Sequence, residues 1–178
     1  NVVQPDQGEP SVGQPEEPLE RERQVDVASH PEPAAAERVE AREVPLAQLM
    51  APGIVIDVSA QAAADPDYRL TVADVQAWEK RNGAVRAGVV VLLRTGWSAR
   101  WPDRKRYLGD DTPGDASRLH FPGYGKEAVE RLVRDRRVGA LGADTASIDH
   151  GPSTDFAAPQ VGAPANAPTL QNLAHLHR

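Results

Sequence analysis

The chain has 178 residues, 40% hydrophobic and 26% charged, with a formal net charge of −6 and no cysteine. That length suits one domain with a sizeable core, and the acidic balance argues against nucleic acid or an anionic membrane surface as main partner. Absence of cysteine excludes disulfides, thiolate metal ligands and a cysteine nucleophile.

Residues 1–43 hold six prolines, nine glutamates and no aromatic residue. Such a segment buries little apolar area and reads as an extended polar arm. From residue 44 to 178 the texture is that of a folded domain. Val44-Pro45-Leu46-Ala47-Gln48-Leu49 predicts a short helical turn opened by proline. Ile54-Val55-Ile56-Asp57-Val58 is a β-branched run typical of a buried strand. Thr71-Val72-Ala73-Asp74 has the capping arrangement of a helix start, with Asp a weaker partner than Glu. The helix that follows places Val72, Val75 and Trp78 on one face and ends near Asn82-Gly83.

Gly88 to Arg94 predicts a second buried strand, left through Thr95-Gly96-Trp97. Trp101-Pro102 to Gly114 reads as a long polar loop. Gly125 to Arg137 predicts a helix with Val129, Leu132 and Val133 inward. Its basic stretch, Arg131 to Arg137, reads as a solvated face. Val138-Gly139-Ala140-Leu141-Gly142-Ala143 is a third apolar strand, and it breaks into a polar loop, Asp144 to Phe156, with three aspartates, two threonines, two serines and His150. A strand delivering polar side chains at its carboxyl end either presents a site or caps turns with its Asp and Ser residues. Beyond Phe156 the chain is rich in Ala, Pro, Gly and Gln until Leu170-Gln171-Asn172-Leu173. This order of elements implies α/β with at least part of the sheet parallel. No apolar run reaches the length of a membrane span and no signal-peptide pattern opens the chain, so a cytoplasmic protein is expected. There is no G-x-S-x-G, phosphate loop or dinucleotide fingerprint.

The stretch Gly142 to Phe156 resembles the GxDTxSxDxGxSTDF region of the metal-dependent cyclase family, which includes kynurenine formamidases and isatin hydrolases. The resemblance continues through VVVLLRTGW (89–97), LHFPG (119–123) and VPLAQLMAPGIVIDV (44–58). It implies a swivelling β/β/α domain, a mixed sheet with flanking helices, assembled as a homo-oligomer (dimer or tetramer). It also implies hydrolysis of a small aromatic or cyclic amide, arylformamidase-like, by water bound to zinc or manganese.

In the family the metal ligands come from an amino-proximal motif HxGTHxDxPxH, a histidine after STDF and a glutamate twelve residues beyond it. Laid on this sequence, Asp26 falls on the metal-bridging aspartate and His30 on the catalytic histidine. Glu20 and Gln24 stand at the two ligand histidines, Pro159 at the later histidine and Gln171 at the glutamate. With most ligands replaced, the chain itself is expected to hold metal poorly or not at all. His120 and Phe121 in LHFPG match family residues and are candidates to line the substrate pocket. Trp97 and Trp101 flank Ser98-Ala99-Arg100, and Trp97 is the better candidate for substrate contact, though both indoles could be core or loop anchors. Beside the hydrolase stand two alternatives: a silent homologue that binds a small molecule or scaffolds a subunit, and a metal-free cyclase using His30, His120 or His150 as acid or base.

Overall fold

The computed structural model describes residues 50–110, 112, 116–154 and 156–177. The polar arm, the Val44–Leu49 turn, Asp26 and His30 lie outside the described residues.

Three expected strands are present: β1 (Gly53–Asp57), β3 (Val90–Arg94) and β5 (Ala140–Ala143). They pair in parallel, β1 with β3 and β3 with β5, and β6 (Thr169–Leu170) joins β5 in the same direction to complete the order β1-β3-β5-β6. Runs of Val, Ile and Leu suit strands covered on both faces. In β5 the side chains are small for a reason. A Cβ on Gly142 would lie 2.7 Å from a Leu92 methyl and 2.8 Å from a Leu173 methyl, so a side chain there would require both leucines to shift.

Between β1 and β3 run α1 (Ser59–Ala64), β2 (Arg69–Leu70) and α2 (Val72–Asn82). The Thr71–Asp74 capping box is complete: Asp74 N donates to Thr71 Oγ1 at 3.2 Å and Thr71 N to Asp74 Oδ2 at 2.8 Å. Tyr68 OH adds a third bond to Asp74 Oδ2 at 2.8 Å. The inward face of α2 is as expected. Val75 is buried, and the half-buried Trp78 donates its indole N–H to Val55 O at 2.8 Å, tying helix to sheet.

The stretch expected as loop after Trp101 contains a short helix, α3 (Arg104–Leu108). Asp103 caps it by accepting from Arg106 N at 3.0 Å, and the buried Tyr107 anchors it. A strand of two residues, β4 (Gly123–Tyr124), pairs in parallel with β2. The helix α4 (Lys126–Glu130) then widens into a π-helical turn, Arg131–Asp135. Val129, Leu132 and Val133 are buried as expected.

The basic stretch is not simply a solvated face. Glu79 of α2 accepts from Arg136 Nε at 2.5 Å, from Arg131 Nη2 at 3.0 Å and from Val85 N at 3.1 Å. The Arg136 hydrogen bond, then that of Arg131, outweighs the cost of burial and brings the Glu79 carboxyl down to about 2. Past Phe156, where composition gave no element, the chain forms α5 (Ala157–Gly162) before β6. Pro159 fits there because the first turn of a helix has no partner for its N–H.

Candidate active site

The polar residues that follow β5 serve mainly to fasten the fold. Asp144 is 1% exposed, and its Oδ1 accepts from Thr95 N at 2.8 Å and Thr95 Oγ1 at 2.6 Å, while Oδ2 accepts from Gly96 N at 2.9 Å. A buried carboxylate with three donors is stably held, and it locks the exit of β3 to the exit of β5. Thr145 donates to Ser147 O at 2.8 Å. Asp149 Oδ1 accepts from Ala158 N at 2.9 Å, satisfying a first-turn amide of α5.

The turn fixed by Asp144 leads directly into Trp97. This residue is 2% exposed, packs with Tyr107 and Phe121 in a small cluster, and donates its indole N–H to Tyr107 O at 2.7 Å. The guanidinium of Arg100 lies over its ring, 3.3 Å from the centroid. Trp97 and Phe121 therefore share one buried cluster. The adjacent His120 is half exposed and faces elsewhere, with Nδ1 2.8 Å from Asp67 Oδ2. Asp67 and His150 line a wide polar cleft of about 920 Å³ along β2 and the start of α2.

The other tryptophan, Trp101, is 67% exposed and lines a cavity of about 310 Å³ together with Ser98, Tyr107, Asn172, Leu173 and Ala174. Trp101 and Tyr107 meet edge to face, with ring centroids 5.6 Å apart. The lining comes from segments that leave the carboxyl ends of β3 and β6, the end of a parallel sheet where ligands usually sit. Tyr107 OH donates to Asn172 Oδ1 at 2.9 Å and lies 3.3 Å from Asp144 O. Burial, reinforced by the Asp144 charge, pushes the Tyr107 hydroxyl up to about 12, so it is a proton donor at neutral pH.

Sequence reasoning missed Tyr107, Asn172, Leu173 and Ala174 as a group. A bond between residues 107 and 172 leaves no local pattern, and the one available signal was Asn in a segment otherwise short of turn formers.

Parallel strands with flanking helices define an α/β protein, and a cavity opens at the strand ends. The Cyclase family, described as "Putative cyclase", matches residues 24–150, and the chain belongs to that family. Isatin hydrolase of Roseibium aggregatum is 40% identical over 92 residues, which is 52% of this chain and 34% of that protein. Isatin hydrolase A from Ralstonia solanacearum superposes with a TM-score of 0.66 at 39% identity, over 71% of this chain and 48% of that one. An isatin hydrolase bound to the product analogue thioisatinate gives 0.69 at 32% identity, over 76% and 51%. The chain spans about a third of the curated relative and about half of these two structural relatives.

The resemblance implies zinc or manganese, and the described residues do not fit one. Among the described residues no three His, Asp or Glu side chains converge to hold a metal ion. Pro159 offers no side-chain donor, and the exposed Gln171 is neutral where tight binding favours carboxylate or imidazole. No helix of the described residues is long and apolar enough to cross a membrane.

Proposed function

We propose that the chain is a hydrolase of small cyclic aromatic amides, opening a lactam of the isatin type. The observation that carries this reading is the cavity walled by Trp101 and Tyr107 at the carboxyl ends of the strands. Its volume, about 310 Å³, suits one flat bicyclic ligand. Relatives that are isatin hydrolases favour a cyclic amide over an open arylformamide. In the reaction the water oxygen bonds to the lactam carbonyl carbon, the carbon–nitrogen bond breaks, and amine and carboxylate result. His30 is the proposed residue that takes the water proton and returns it to the leaving nitrogen. Asp26 is the proposed remnant of the family's metal site.

Turnover of isatin, followed by loss of its absorbance and by mass detection of isatinate, tests this. Wild-type protein is expected to form isatinate, and His30→Ala to lower the rate by about 100-fold or more. No isatinate above the uncatalysed background would refute the hydrolase, and undiminished turnover by His30→Ala would remove its assigned role. Pro159 and Gln171 at family ligand positions favour a second reading, a homologue that binds such a ligand without turning it over. Saturable isatin binding with no turnover would establish it.

A further inference from the structure

Asn172 occupies a backbone conformation that few residues adopt. Its φ is +56°, in the left-handed region that Asn tolerates better than other side-chain-bearing residues. The conformation is held from both sides: Asn172 N donates to Thr145 O at 2.9 Å, and Leu173 N donates to Ala143 O at 3.1 Å. The side chain is held as well. The Tyr107 hydroxyl donates to Oδ1, which fixes the amide's orientation and leaves Nδ2 with two hydrogens and no partner among the described residues. Asn172 lines the aromatic cavity together with Trp101, Tyr107, Ser98 and the apolar Leu173 and Ala174. An oriented amide donor beside an apolar aromatic slot is suited to a flat ligand with a carbonyl or carboxylate oxygen on its edge.

We propose that Asn172 selects the ligand, its Nδ2 donating to an edge carbonyl oxygen of a bicyclic amide, with Tyr107 as the positioning residue that aims it. The identity of that ligand rests on the hydrolase reading. The donor role does not. An oriented donor at the cavity edge favours a ligand that brings an acceptor over one of the same shape that lacks it. The selectivity is a property of binding and precedes any chemistry.

Calorimetric titration with two probes of one shape separates the claims: isatin, which carries edge carbonyls, and indole, which carries none. Wild type is expected to prefer isatin by about tenfold, the worth of one good hydrogen bond. Asn172→Asp keeps an acceptor for Tyr107 and tolerates the left-handed backbone but loses both donors. It should erase the preference by weakening isatin and leaving indole unchanged. Asn172→Gly, free of strain at this φ, should do the same and serves if the carboxylate disturbs folding. Tyr107→Phe should weaken isatin by a smaller factor, since the amide is then free to turn. Wild type with no preference, or Asn172→Asp with the preference intact, overturns the inference. Wild type that prefers isatin yet never opens it refutes the hydrolase and leaves the role of Asn172 standing.

Discussion

At the scale of single residues, the densest set of constraints converges on Asp144. Its three donors belong to Thr95 and Gly96, in the turn that leads through Trp97 to Ser98 and Trp101 of the cavity lining. Asp144→Ala would strand those donors in a buried place. A cost on the order of 3–5 kcal/mol follows, seen as a lower urea midpoint with unchanged m-value. Glu79 makes a pH prediction. Its folded-state value of about 2 lies below the ordinary 4.5, so the unfolded chain takes up the proton first as pH falls. The stabilisation it gives is complete above pH 4.5 and is lost as pH drops through about 2. Urea titrations across that window should show Glu79→Gln less stable at neutral pH and less sensitive to acid than wild type. Equal pH slopes for the two proteins would mean that Arg131 and Arg136 do not hold the carboxylate in solution.

At the scale of elements, the helix α2 shows how much local chemistry decides. Thr71→Ala removes one half of the capping box and should cost about 1 kcal/mol in the same unfolding experiment. What was legible in the sequence had either a long apolar run or a cap. β1, β3 and β5 announce themselves through Ile54–Val58, Gly88–Arg94 and Val138–Ala143, and α2 through Thr71 and Gly83. The elements that stayed hidden are short. β6 has two residues, and its place in the sheet comes from pairing with Leu141 and Gly142 rather than from its own composition. The helix α3 follows from the Asp103 cap and the burial of Tyr107, neither visible against the charges of Arg104, Lys105 and Arg106. The two tryptophans illustrate the limit for the site. The sequence favoured Trp97 for substrate contact and left both indoles open as core or loop anchors; three-dimensional packing puts Trp97 with Phe121 in a buried cluster and Trp101 at the cavity. Periodicity cannot separate two indoles in an irregular turn.

At the scale of the whole molecule, fold and family were readable because several motifs stand in one order along the chain, and the Cyclase family match over residues 24–150 bears that out. Activity was harder to read because it depends on a few ligand positions, and Pro159 and Gln171 depart from the family pattern. The proposal of a dimer or tetramer is checked by light scattering on the eluting protein, which should return a mass of two or four chains. We propose that this family member acts on a cyclic aromatic amide in the cavity beside Trp101. The most direct test is kcat/KM for isatin opening, wild type against Trp101→Ala. Removal of an exposed wall of the cavity should lower kcat/KM by about tenfold while thermal stability stays unchanged. Isatin opening at the wild-type rate by Trp101→Ala would place the chemistry elsewhere on the molecule and contradict the account.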